Sequence, residues 1–247
     1  MAEKPVFVIG APRSGTTLLR SIVDAHPRIC CPTWETGLFD RFSVILGGDL
    51  TKPHGDEPNY AFQDRRALLS WMRRSCDDLM RVLTESSGKP RWCEKTPSHV
   101  FCVDIIHEVY PEAQFIHIIR NGSHVVRSLQ NVAWSPRRIR WSVDRWRDSV
   151  EAGRRSGRKL PPSLYHEIRY EELCDQPETT IRGLCDFLQE PFTPQILEFH
   201  KPENNSWGIS QGAIDAARPR VYRELSFAER ALLRLRAGQL LGELGYH

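Results

Sequence analysis

No run of 18 apolar residues occurs among the 247 residues, and no charged stretch followed by an apolar one opens the chain. A helix needs roughly 20 such residues to cross a bilayer core, so neither a membrane span nor a secretory leader is predicted. Seven cysteines, at 30, 31, 76, 93, 102, 174 and 185, are odd in number and form no C-x-x-C pair. They predict reduced, mostly buried thiols in the cytoplasm rather than a disulfide framework. Cys/His clusters at ligand spacing are missing too, and no metal is expected. The net charge of +3 is too small to announce a nucleic-acid partner. There is no internal repeat and no long low-complexity linker. With 40% hydrophobic residues the length suits one domain spanning 1–247.

What is present is an alternation. Short apolar strands over 5–10, 91–95, 114–119 and 164–169 are separated by helical patterns near 15–25, 36–46, 62–85, 99–109, 122–132, 137–156 and 177–188, with a last helix from Phe227 to Leu244. That order predicts an α/β fold, a P-loop-type parallel sheet flanked by helices on both faces. Ser226 with Glu229 forms a capping box for the last helix, whose leucines 232, 233, 240, 241 and 244 make a stripe for docking on the core. Between Arg137 and Lys159 stand nine basic residues against three acidic ones, with Trp141 and Trp146 interleaved. That helix either recognises an acidic acceptor or presents a solvated face with its tryptophans turned inward.

The first strand runs into Gly10-Ala11-Pro12-Arg13-Ser14-Gly15-Thr16-Thr17, with a helix expected from about Ser14. Helix N-termini offer unpaired N–H groups and the positive end of the macrodipole, so this loop is a phosphate cradle. Gly10, Gly15 and Thr17 fit the nucleotide-triphosphatase pattern G-x-x-x-x-G-K-[ST], but Thr16 stands where its lysine belongs. Arg13, Thr16 and Thr17 remain as donors. A triphosphate enzyme also needs a magnesium-holding carboxylate on a neighbouring strand, whereas the strand 114–119 runs into Arg120. Arg120 and Ser128, two turns into the next helix, can meet one phosphate. A nucleotide with two separate phosphate groups suits this set better than ATP with magnesium.

On these motifs the chain resembles the sulfotransferases that use 3′-phosphoadenosine 5′-phosphosulfate (PAPS), most of all the bacterial and protein-tyrosine members. Pro12 to Leu19 resembles their 5′-phosphosulfate loop, with Arg13, Ser14, Gly15, Thr16 and Thr17 as its residues. Phe115 to Gly122 with Ser128 resembles their 3′-phosphate site. Ile168-Arg169-Tyr170-Glu171-Glu172-Leu173 is similar to a stretch whose tyrosine contacts the adenine; by itself Tyr170 reads as a core or boundary residue. Arg218-Pro219-Arg220 resembles a basic loop that closes over the cofactor, which implies that Arg220, or Arg218, meets the 3′-phosphate.

The resemblance also implies the chemistry. Glu35 sits, with one extra intervening residue, where the protein-tyrosine enzymes carry their catalytic glutamate, so it is the candidate base. Lys95, at the carboxyl end of the strand 91–95, falls where ligands bind in open α/β sheets; the family's equivalent lysine stabilises charge on the transferred group. His99 is the second candidate for the base. The segment 37–90 is expected to be an acceptor-side helical insert, its aromatic residues divided between core and binding lid. The implied reaction is sulfuryl transfer from PAPS to a hydroxyl of a small molecule or a peptidyl tyrosine, with no membrane partner. A P-loop kinase or triphosphatase and a silent nucleotide-binding scaffold are the alternatives. Acceptor identity and oligomeric state are not legible.

Overall fold

The computed structural model describes residues 4–46, 64–204, 206 and 224–246. Its strands in chain order are β1 (Val6–Gly10), β2 (Ile29–Cys30), β3 (Arg91–Lys95), β4 (Gln114–Ile119) and β5 (Tyr165–Arg169). The helices are α1 (Thr16–Asp24), α2 (Leu38–Ile45), α3 (Arg65–Thr84), α4 (Val103–Val109), α5 (Gly122–Leu129), α6 (Ile139–Gly157), α7 (Tyr170–Asp175), α8 (Pro177–Leu188) and α9 (Phe227–Glu243).

Successive strand side chains point to opposite faces, so a strand that is apolar at every position must be covered twice. β1 is such a strand. Val6 and Val8 pack with Leu19, Ile22 and Val23 of α1 and with Ile181 and Leu184 of α8. Phe7 and Ile9 face the other way, onto Phe39 and Phe42 of α2, Met72 and Met80 of α3 and Ile106 of α4. A third cluster joins Ile119 to Val125 and Val126 of α5, Trp146 and Val150 of α6, and Leu233, Leu240 and Leu241 of α9. The α/β fold with helices on both faces of the sheet is as the alternation predicts.

The sheet order is β2-β3-β1-β4-β5, and every pair is parallel. From β1 the chain passes to the β2 edge, returns to β3 beside β1, and then crosses to β4 on the other side. Open parallel sheets bind ligands outside the carboxyl ends of their strands, at such a reversal. Those ends carry Gly10, Lys95, Arg120 and Tyr170.

The boundaries differ from expectation in instructive places. α1 starts at Thr16 and not near Ser14, because Gly15, the residue before it, is left-handed with φ 101°. His99 does not open the helix after β3; it lies in a separate 3₁₀ turn, Pro97–Phe101, that precedes α4. Two short elements were not expected, β2 and α7. Trp146 is fully buried, so the basic helix does turn this tryptophan inward, and all seven cysteines are free and buried. Among the described residues no helix is long and apolar enough to cross a membrane.

Candidate functional site

The loop from Gly10 to Thr17 is held in a conformation that side chains resist. Gly10 has φ 152° and Gly15 φ 101°; a Cβ at Gly15 would lie 2.4 Å from Tyr170 Cδ2. Arg13 takes φ 72° although it has a Cβ, a conformation that costs energy and is kept where the surroundings impose it. Its carbonyl accepts from Arg120 Nη1 at 3.2 Å, and its Nε donates to Ser128 Oγ at 3.0 Å. Loop, strand end and following helix are thereby locked together. Arg13, expected with the 5′ group, also touches the residues expected to hold the 3′-phosphate.

Arg120 is placed by three contacts. Trp146 Nε1 donates to its carbonyl at 3.0 Å, its Nη1 grips the loop, and its guanidinium lies 4.1 Å from the Tyr170 ring centroid. Burial pushes the Tyr170 hydroxyl up to about 12, against the pull of Arg120. Tyr170 therefore serves as a wall under both Gly15 and Arg120, which is the boundary reading of this residue. Among the described residues, two buried polar atoms here have no hydrogen-bond partner, Ser14 Oγ and Arg120 Nε. Buried polar groups are normally hydrogen-bonded, so orphans that face a phosphate cradle point to a ligand.

On the other side of β1, Lys95 Nζ donates to Glu35 Oε1 at 2.5 Å. The lysine is buried and the glutamate half exposed, 4% against 49% of the side chain. A network that sequence reasoning did not assign holds this pair. The buried Glu94 carboxylate accepts from Thr36 Oγ1 at 2.9 Å, Thr96 Oγ1 at 2.5 Å and His99 Nδ1 at 2.8 Å. Burial works against its charge, but these donors overcome it and hold Glu94 below the usual carboxylate range. Thr36 follows Glu35 and Lys95 follows Glu94, so one buried carboxylate fixes both neighbours. The visible signal was two adjacent charges in a central parallel strand, where one of them had to point inward. His99 is fully buried, and the Phe39 N–H donates to its Nε2 at 3.3 Å. Both ring nitrogens of His99 are thus engaged inside the fold, and His99 does not line the cleft that Glu35 opens onto.

Glu35, Thr16, Thr17 and Arg13 open onto one cleft of about 400 Å³, walled by Pro12, Pro97, Ser98, Trp134 and Arg145. A larger cleft of about 480 Å³ between α6 and α9, rich in arginine, contains none of the motif residues. Ser14 and Gly15 lie in sequence between the first cleft's lining residues Arg13 and Thr16, Arg120 and Ser128 bond Arg13, and Tyr170 lies against Gly15 and Arg120. Arg218 and Arg220 lie outside the described residues, as do Tyr60 and Phe62 of the expected insert.

A model of the sulfotransferase family matches residues 5–194. The chain belongs to the sulfotransferase family. It is 23% identical, over 90% of its length, to a protein-tyrosine sulfotransferase of Drosophila melanogaster, of which it covers 45%. To an uncharacterized protein of Aquifex aeolicus it is 29% identical over 90% of its length, covering 30% of that protein. The chain thus spans less than half of either relative. Among solved structures, the sulfotransferase domain of the Synechococcus olefin synthase superposes with a TM-score of 0.64 at 20% identity, over 95% of both chains. A mouse sulfotransferase complexed with PAP superposes at 0.53 and 13% identity, over 99% of this chain and 89% of that one. At such identities the likeness is one of fold. The strand ends that gather its motif residues are where an open parallel sheet offers a site.

Proposed function

We propose that the chain moves the sulfuryl group of PAPS to an acceptor hydroxyl, with Glu35 as base and Lys95 as charge stabiliser. The observation that carries this reading is the buried Lys95 bonded to Glu35, whose carboxylate lines the same cleft as Thr16 and Thr17. The residues fit the donor: the orphaned Ser14 Oγ and Arg120 Nε await acceptor atoms, and Gly15 leaves the backbone bare at the α1 N-terminus. PAPS supplies the sulfuryl group and a phosphate leaving group.

The protein's own residues account for the rest. Arg13, Ser14, Gly15, Thr16 and Thr17 hold the 5′ group; Arg120 and Ser128, bridged by Arg13, hold the 3′-phosphate. Tyr170, which lies against Gly15 and Arg120, contacts the adenine as the family resemblance implies, and Arg220 closes over the nucleotide. Glu35, half exposed, takes the proton of the acceptor hydroxyl. As its charge falls, Lys95 Nζ is released toward the charge that grows where the bond to the 5′-phosphate breaks. The acceptor oxygen gains the sulfuryl group, its proton ends on Glu35, and 3′-phosphoadenosine 5′-phosphate (PAP) leaves. The segment 37–90, which begins two residues after Glu35, is the acceptor-side insert of a one-domain chain, although its Phe39 and Phe42 belong to the core. The acceptor is a small molecule or a peptidyl tyrosine.

Thermal melting with PAP and, separately, with ATP and magnesium tests the donor. A ligand at 100 times its Kd stabilises by about 2.7 kcal/mol, several degrees for a chain of this size. PAP is expected to give that shift. A shift with ATP and magnesium alone would reinstate the triphosphatase. PAP binding without any sulfate transfer from labelled PAPS to a hydroxyl panel would leave the silent scaffold.

A further inference from the structure

We infer that Arg145 receives a negative charge carried by the acceptor, which makes the acceptor a small hydroxyl compound bearing a carboxylate. This rests on the sulfotransferase reading of the Glu35 cleft. Arg145 projects from α6 into that cleft, and its guanidinium lies 5.0 Å from the centroid of the Phe101 ring.

Arg140, Arg147 and Arg154 on the same helix have carboxylate partners and Arg145 has none among the described residues. Arg147 bonds Asp148 at 2.6 Å, and Arg154 bonds Glu167 at 3.2 Å. Among the described residues no carboxylate lies within 4.0 Å of Arg145. The acidic groups whose fields reach it are Asp40 and Asp148. Asp148 is held by Arg147, while Asp40 accepts from Ser98 Oγ at 2.6 Å and from Cys102 Sγ. Burial lowers the Arg145 pKa despite both. A partly desolvated cation with no anionic partner is costly, and a ligand anion reverses that cost with two charge-assisted hydrogen bonds from the planar fork.

The cleft favours a small molecule over a polypeptide. The cleft of about 400 Å³ takes the donor's 5′ end beside Arg13, Thr16 and Thr17 as well as the acceptor, which leaves room for a small body, and Pro12, Pro97 and Trp134 give it apolar walls suited to a flat one. Glu35 and Arg145 line the same space, so one compact molecule can offer its hydroxyl to the first and its carboxylate to the second.

The test compares matched acceptors, such as para-hydroxyphenylacetate and its methyl ester within a panel of hydroxy acids and their esters. Sulfate transfer is read by mass in the wild type, Arg145→Gln and Arg145→Lys, with PAP affinity measured for each. The wild type is expected to favour the acids by about 10- to 100-fold in kcat/KM, the worth of a hydrogen-bonded charge. That ratio should collapse toward one in Arg145→Gln and survive in part in Arg145→Lys, with PAP affinity equal in all three. Esters used as well as acids by the wild type would overturn the inference, whatever the variants do. So would a ratio unchanged in Arg145→Gln. A loss of PAP affinity with the ratio intact would move Arg145 to the donor, and preference for an uncharged tyrosine peptide would assign the cleft to a macromolecule; each outcome overturns it. If PAP fails to bind, the sulfotransferase reading falls; if PAP binds and no panel member is sulfated, only the Arg145 inference falls.

Discussion

Lys95 and Glu35 are bonded so closely that neither acts alone. In the proposed mechanism the carboxylate that takes the acceptor proton is also the counter-ion of the cation that meets the departing charge, since Lys95 Nζ donates to Glu35 Oε1. Replacing Glu35 with Gln removes the base and is expected to cut turnover by about 10²- to 10⁴-fold. Lys95→Met should cost a comparable factor, since stabilisation of developing charge is worth about 10²- to 10³-fold per donor. Because the two form one device, the double variant should fall little below the worse single one instead of showing the product of both losses. PAP affinity, which the proposal assigns to the Gly10–Thr17 loop and Arg120, should change less than tenfold throughout. Single-turnover kinetics with labelled PAPS read both quantities. A Glu35→Gln enzyme with near wild-type turnover, or strictly multiplicative losses, would refute the coupled pair.

At the scale of elements, small residues set how closely helices approach the sheet. Gly153 of α6 packs on β4, and a Cβ there would lie 2.4 Å from His117 Cε1 and 2.8 Å from Val100 Cγ2. Gly153→Ala is expected to destabilise by about 1–3 kcal/mol through overpacking, more than the helix propensity of alanine, at most about 1 kcal/mol, returns. Gly183 of α8, exposed with nothing within 4 Å, isolates the propensity term: Gly183→Ala should stabilise. Denaturant melts decide, and equal signs for the two would sink the packing argument. The same local physics fixes what was legible in the sequence. β1, β3, β4 and β5 announce themselves as apolar runs between helical periods, and the glycines of the phosphate loop mark its turn. β2 is two residues long, too short for any alternation to register, and α7 begins directly at the end of β5 with no turn residue between them. The Lys95–Glu35 contact spans 60 residues. Family resemblance named both partners, but their pairing, and the Glu94 network beneath it, depend on which strands adjoin, which no local pattern encodes.

The whole molecule has its own titration, because the sheet and its two layers enclose histidines that the site does not use. Burial pushes His117, at the centre of β4, down to about 3, and the field of Arg154 adds to this. Burial also lowers His26 and His166. For each, the folded pKa lies below the ordinary value of 6.5 that the unfolded chain retains. Between the two values the unfolded chain binds more protons, so stability is complete above 6.5 and drains as pH falls toward 3. One fully buried histidine contributes a slope of about 1.4 kcal/mol per pH unit within that window. Denaturant midpoints are therefore expected to change little between about pH 7.5 and 6.5 and to drop between about 6.5 and 5.5. His117→Gln, which cannot titrate, should start less stable because it disturbs the bond to Tyr165, yet show a shallower drop. A midpoint that holds or rises down to pH 5.5 would mean that these rings accept protons within the fold, and that the layers covering β4 open to water below neutrality.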